Sequence, residues 1–297
     1  MPKFKYLLGP MRVPFLILTP ACVSLGVGTA VRTTGTVSVS HVILVLIGAV
    51  CAHISVNAFN EYYDFKSGLD FKTERTPFSG GSGTLPENPG MASMALRTGL
   101  ITFIITGLIG IYFLYVRGPY LLPLGLLGLF LLFAYTPWLT RNPVLCLIVP
   151  GLGFGPLMVM GTDFVLTGAY SQTAFVISLV PFFLVSNLLL LNQFPDVEAD
   201  RSIGRRHFPV VIGNHASSFI YGAFLLLAYL SILAGVLLNY LPKVSLMGLF
   251  TTVIAVPAFI GALRYSGDAK KLVPYMGMNV IINILTPVLI AAGLFIG

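Results

Sequence analysis

Nine apolar runs of about 20 residues, each long enough for a helix to cross a bilayer, take up most of the chain. They lie roughly at 12–31, 41–63, 93–115, 119–139, 143–162, 170–194, 215–238, 244–264 and 273–296. A backbone in lipid must satisfy its own polar groups, so runs of this kind fold as helices. Asp, Glu, Lys and Arg together make up only 9% of the 297 residues, against roughly 25% in a soluble protein. The sequence therefore predicts an all-α integral membrane protein, a bundle of nine transmembrane helices in which 1–297 form a single domain. Pro123, Pro156, Pro181, Pro257 and Pro287 fall inside the runs. They would break soluble helices but are tolerated in bundles as kinks. The basic residues before the first run precede a long apolar stretch with more spans after it, which reads as a retained helix and not a cleaved signal peptide. Cys22, Cys51 and Cys146 are odd in number and lie inside apolar runs, so no disulfide framework and no CxxC metal spacing is implied.

The basic residues predict the orientation. Nine spans put all but Arg32, Arg117 and Lys243 of the 17 Lys and Arg on one side, Lys3 and Lys5 at the N-terminus among them. By the positive-inside rule that side is cytoplasmic and the C-terminus lies opposite. This placement accounts for the net charge of +7 without nucleic acid, for which no basic helix or groove-reading motif exists. Nine of the ten acids, all but Asp163, share the cytoplasmic side, and seven of them crowd into 61–74 and 196–200. A solvated loop would scatter them. Two polar loops, about 65–92 and 201–214, follow these clusters.

In the sixth span Asn192, Asp196 and Asp200 are spaced i, i+4, i+8, which stacks them on one face of a helix about 6 Å apart. Bare oxygen ligands so placed at a membrane edge repel one another, and a divalent cation removes the difficulty. Carboxylates with an amide oxygen are hard ligands, so Mg²⁺ is the expected ion. Pro195 should loosen the helix there. In the second span Asn60 and Asp64 repeat the spacing, whereas Asp70 would lie about 240° around an ideal helix from Asp64. It joins the site only if the helix ends first, and Ser67 and Gly68 supply that stop. Upstream, His53, Asn57 and Asn60 continue the stripe inward, as the wall of a central cavity would.

Each motif alone can be a solvated helix end paired with nearby Lys or Arg. Two matched motifs on one side point instead to two ions. Lys66, Lys72 and Arg75 follow the first motif, Arg205 and Arg206 the second, and Arg141 ends the fourth span on the same side. Metal clusters ringed by cations suit a diphosphate. A diphosphate site opening into an apolar bundle calls for a polyprenyl diphosphate, its head at the cytoplasmic edge and its tail among membrane lipid. The competing class is a cation-coupled transporter; carriers place acids near mid-bilayer, whereas these sit at one edge.

At this point "NEYYDFKSGLD" (60–70), "NQFPDVEADRSIGRR" (192–206), "RTPFSGGSG" (75–83) and "YTPWLTR" (135–141) together resemble the UbiA superfamily of intramembrane prenyltransferases over almost the whole chain. The resemblance implies Mg²⁺-dependent transfer of a prenyl group from its diphosphate to an aromatic or lipid acceptor. It implies one ion on Asn60, Asp64 and Asp70, another on Asn192, Asp196 and Asp200, and the four aspartates in catalysis. The D-x5-D spacing of Asp64 and Asp70 is similar to the branch that uses 1,4-dihydroxy-2-naphthoate in menaquinone biosynthesis. Other acceptors of the family, 4-hydroxybenzoate, homogentisate or a prenylated glycerol phosphate, stay open. Glu61 stands where an aspartate is common. His53, Asn57, Asn279 and Asn283 are candidates for the acceptor pocket, with interhelical hydrogen bonding the other role for the last two.

Overall fold

The computed structural model describes residues 8–297, and Lys3 and Lys5 lie outside them. Among the described residues no strand forms. The helices are α1 (Leu18–Thr34), α2 (Val39–Ser67), α3 (Ala92–Arg117), α4 (Leu122–Ala134), α5 (Pro143–Leu152), α6 (Gly161–Thr167), α7 (Gln172–Asn192), α8 (Val197–Ser202), α9 (Phe208–Ile212), α10 (Asn214–Leu237), α11 (Thr252–Arg264) and α12 (Ala269–Ile296). Among the described residues, eight helical stretches are long and apolar enough to cross a membrane. The fourth expected span is shorter than the sequence suggested: its apolar helix covers 119–134 and gives way to turns before Trp138.

Several helices bend where composition demands it. α5 and α6 form one stretch through Gly153–Met160, which is wound as a π-helix around Pro156; a proline inside a helix forfeits a hydrogen bond and widens the turn. Close packing holds this bent rod to α7. A Cβ added at Gly151 would stand 2.2 Å from the Phe182 carbonyl, so only glycine admits that approach. α12 packs on α1, which closes the bundle, and α7 contacts α1, α5, α10 and α12. The main core lies around α7, α10, α11 and α12, with Tyr221, Leu184, Ile232 and Met276 fully enclosed.

Asp163, the one acid expected on the side opposite the two clusters, is explained by packing. It is buried, accepting from Thr29 Oγ1 at 2.7 Å and Ser171 Oγ at 2.8 Å, and so ties α1 to the N-terminus of α7.

Candidate active site

The second span ends as its sequence requires. Ser67 is the last residue of α2, and Gly68 takes the left-handed conformation at φ 79°, closing the helix onto the carbonyls of Asp64 and Phe65. The chain then turns back through Leu69–Phe71, which brings Asp70 to the same cavity as Asp64. The second motif is built differently from the single helical face expected. α7 stops at Asn192, a turn runs through Gln193–Asp196, and Asp196 stands at the cap of the separate helix α8, which carries Asp200. Pro195 has no N–H to continue the α7 ladder, so the break is complete where a kink was expected.

All six residues, Asn60, Asp64, Asp70, Asn192, Asp196 and Asp200, line one cavity of about 550 Å³. The cavity extends to Val45, Leu121 and Val165. Val45 lies about 28 Å from Asp64 along α2 at 1.5 Å per residue. Beyond His53 and Asn57 the walls are largely apolar, and Ile111, Leu122 and Leu126, which line the cavity, are each more than 40% exposed.

The charged end holds two kinds of carboxylate. Asp64 and Asp200 share Arg205, whose Nη2 donates to Asp64 Oδ1 and whose Nη1 donates to Asp200 Oδ1 at 2.9 Å. His207 Nε2 donates to the other oxygen of Asp200 at 2.8 Å. By contrast Asp70 Oδ2, Asn192 Oδ1 and Asp196 Oδ1 are buried without any hydrogen-bond partner. Burial first, then the charges of Glu61 and Asp64, push the Asp70 carboxyl up to about 7. Burial and Asp200 push Asp196 up to about 7. At Asp200 burial acts upward, but the His207 hydrogen bond and Arg205 outweigh it and hold the carboxyl below its usual range.

Orphaned buried oxygens on a carboxylate, an amide and a second carboxylate are the donor set of a hard divalent cation. Among the described residues no group of three or more His, Cys, Asp or Glu is placed to hold a metal ion alone. A cation here would complete its shell with Asn192 and with oxygens of a bound anion, the usual way Mg²⁺ binds.

Of the six cations expected at a diphosphate, Arg205 alone lines the cavity. Lys66 lies over the Tyr62 ring, 5.8 Å from its centroid, and Lys72 Nζ donates to Ser202 Oγ at 3.1 Å across the two polar loops. Arg75 pairs with Glu87 at 3.5 Å, Arg141 is exposed, and Arg206 contributes a backbone bond to Thr140. Basic residues flanking an acidic motif in sequence need not face it, because a turn sends neighbours in different directions. Asn279 does not line the cavity. It accepts from Tyr221 Oη at 3.2 Å and donates to the Asn187 carbonyl at 3.3 Å, joining α12 to α7 and α10. Asn283, His53 and Asn57 do line it.

Sequence reasoning gave no role to four residues. Arg12 lines the cavity and donates from Nε to Glu61 Oε1 at 2.8 Å and from Nη2 to Asn60 Oδ1 at 3.2 Å. Glu61 is fully buried and also accepts from Ser82 N at 2.8 Å and Ser82 Oγ at 2.7 Å, so it pins the glycine-rich turn of 80–83 over the site. Gly81 sits so close to Asp70 that an added Cβ would be 3.1 Å from Oδ1. His207 gave no signal, since it stands beyond the second motif among basic residues.

Acids and two arginines at one end of a deep, largely apolar cavity, in a bundle of helices long enough to cross a membrane, give the chain an amphipathic site of the intramembrane class. The model of the UbiA prenyltransferase family matches residues 19–283, and the chain belongs to that family: it is an intramembrane prenyltransferase. Among curated proteins it is similar to the 1,4-dihydroxy-2-naphthoate octaprenyltransferase of Bacillus subtilis (strain 168), 26% identical over 226 residues covering 74% of this chain and 68% of the relative. Among solved structures its fold is similar to a UbiA homolog from Aeropyrum pernix K1 in its apo form, at a TM-score of 0.71 and 17% identity, over 94% of this chain and 96% of that one. It is also similar to a UbiA homolog from Archaeoglobus fulgidus bound to DMAPP and Mg²⁺, at a TM-score of 0.62 and 16% identity, over 97% and 99% of the two chains.

Proposed function

We propose that this protein transfers the prenyl group of a polyprenyl diphosphate to an aromatic acceptor, 1,4-dihydroxy-2-naphthoate, at the cytoplasmic face of a membrane. The observation that carries the reading is one continuous cavity that runs about 28 Å along α2, with carboxylates, amide oxygens and Arg205 at one end and mostly apolar walls beyond His53. Diphosphate fits the first part and an isoprenyl tail the second. The three orphaned oxygens support divalent cations there, and the related Archaeoglobus fulgidus structure with DMAPP and Mg²⁺ supports the same pairing. The Bacillus subtilis relative and the D-x5-D spacing support the naphthoate.

Asn60, Asp64 and Asp70 would hold one Mg²⁺, and Asn192, Asp196 and Asp200 the other. When bound, the ions neutralise the diphosphate as it leaves. Arg205 donates to that diphosphate as its charge develops. The apolar walls hold the prenyl chain and keep water from its C1. The C1–O bond breaks, the electron-rich acceptor carbon bonds to C1, and a site carboxylate takes the proton released from that carbon; with the naphthoate the ring C–COO⁻ bond then breaks, CO₂ leaves, and the proton takes its place on the ring. The acceptor carboxylate needs a cationic partner. Arg75 and Arg141 were the sequence candidates, but Arg12 is the cation beside Asn60 in the cavity. His53, held by Thr19 Oγ1 at 2.8 Å, and Asn57 reach the acceptor's ring from deeper in the wall.

The test is product mass from purified protein, Mg²⁺ and geranylgeranyl diphosphate, with dihydroxynaphthoate, 4-hydroxybenzoate and a prenylated glycerol phosphate in parallel. The naphthoate should be prenylated with loss of CO₂ and 4-hydroxybenzoate poorly used. Efficient prenylation of 4-hydroxybenzoate with none of the naphthoate would remove the acceptor assignment and leave prenyl transfer intact.

A further inference from the structure

Arg205 stands where a cation would be expected. Its guanidinium bridges Asp64 of the first motif and Asp200 of the second, two residues joined by nothing else in the sequence. All three side chains are nearly enclosed, with 15%, 9% and 3% of their surfaces exposed for Arg205, Asp64 and Asp200. His207 fixes the remaining oxygen of Asp200. Asp70, Asn192 and Asp196 keep bare oxygens in the same cavity. The acids are thus divided into a pair already neutralised and a pair left open.

A divalent cation arriving alone meets half of its ligands engaged and a fixed positive charge between the motifs. A diphosphate changes both conditions. A guanidinium binds phosphate oxygens bidentately as well as it binds carboxylates, so the anion takes over Arg205 and releases Asp64 and Asp200. Gly204, at φ 81° with open space around it, lets the segment that carries Arg205 adjust.

We infer that Arg205 is an internal counter-ion that holds the two motifs together in the substrate-free enzyme and makes divalent cation and prenyl diphosphate bind synergistically, neither well without the other. The inference rests on the diphosphate reading of the site. Linkage requires the effect to be mutual: the anion tightens the cation by the factor by which the cation tightens the anion.

The experiment is a Mn²⁺ titration of the detergent-solubilised full chain, read by the EPR signal of free Mn²⁺, with and without geranyl S-thiolodiphosphate, an unreactive analogue. A protein-free series corrects for Mn²⁺ held by the analogue itself. Wild-type protein should bind Mn²⁺ at least tenfold more tightly with the analogue present. Arg205→Ala should bind Mn²⁺ alone at least tenfold more tightly than wild type does, and should lose most of the analogue's effect. Arg205→Lys, which keeps the charge, should stay close to wild type for Mn²⁺ alone. Equal Mn²⁺ affinity of the wild type in both conditions overturns the proposal, and this arm needs no variant to fold. Unchanged Mn²⁺ binding by Arg205→Ala overturns it too. Failure of the diphosphate reading looks different: equilibrium dialysis of the labelled analogue would then show none bound to the wild type at any Mn²⁺ concentration, whereas equal Mn²⁺ affinity counts against Arg205 when dialysis shows the analogue bound.

Discussion

Asp70 and Asp196 illustrate what a preformed anionic site costs a protein. Both carboxyls sit near pH 7 in the fold, against about 3.9 in an unfolded chain. A group whose folded value is raised contributes its stability in full below the unfolded value and loses it as pH rises through the folded one. The metal-free protein in EDTA should therefore show a falling thermal midpoint between about pH 4 and pH 7. Mg²⁺ with an unreactive prenyl diphosphate should flatten that slope, because the ligands favour the ionised carboxylates. A midpoint that rises over the same interval in EDTA would show that other groups dominate. Asp64→Asn and Asp196→Asn should each abolish nearly all turnover while the purified protein stays folded by circular dichroism. Near-normal turnover in either would remove its carboxylate from the cation site. Glu61 makes a different prediction, since it touches Arg12 and Ser82 and is fully buried. Glu61→Ala leaves the Arg12 guanidinium with Asn60 as its remaining partner at that spot and should cost about 3–5 kcal/mol, the usual loss when one member of a buried ion pair is removed. It is read as a lowered thermal midpoint, and Glu61→Gln should recover part of it through the Ser82 bonds.

At the scale of elements the site depends on where two helices stop. Gly68 ends α2 at φ 79° with open space around its missing side chain. Gly68→Ala therefore meets no clash, only the backbone penalty of a left-handed L-residue, about 1–2 kcal/mol. Its larger effect should be on turnover, through displacement of Asp70; a variant with normal kcat and KM would show that Asp70 tolerates a different helix end. Asn279 belongs to the contact of α12 with α7 and α10. Interhelical hydrogen bonds in membrane proteins contribute roughly 0.6 kcal/mol each on average. Asn279→Leu should thus lower the thermal midpoint slightly and leave the KM for acceptor unchanged, whereas Asn283→Leu, in the cavity wall, should change that KM. Equal KM shifts in the two variants would return Asn279 to the acceptor pocket.

The whole molecule is organised by the direction of its charge. The acids and Arg205 occupy one end of the bundle, and Asp163 with the Arg117 bonds to the Val165 and Leu166 carbonyls lies at the other. We propose that the first end faces the cytoplasm, where Lys and Arg gather. Glu87→Cys, at the exposed end of the short helix Thr84–Glu87, and Ala169→Cys, on an exposed bend, should be modified by an impermeant maleimide from the cytoplasmic and the opposite side respectively. Labelling in the reverse sense would invert the orientation.

The sequence by itself determined the helical bundle, because 20-residue apolar runs have no other stable backbone in lipid. It also determined that two acidic motifs close that bundle at one edge, since charge in so apolar a chain has few places to go. Local chemistry was legible in part: Gly68 had to end α2, whereas Pro195, expected only to loosen one helix over Asn192 to Asp200, breaks it into two. The partners of the charges were decided by tertiary structure alone. Arg205 and Asp64 are 141 residues apart in sequence, and Arg12 and Glu61 are 49 apart. A flanking Lys or Arg looks the same in sequence whether it points to solvent or into the cavity. Which of them the acids meet depends on the angle at which each turn leaves its helix, and that angle is set by packing among all the spans at once.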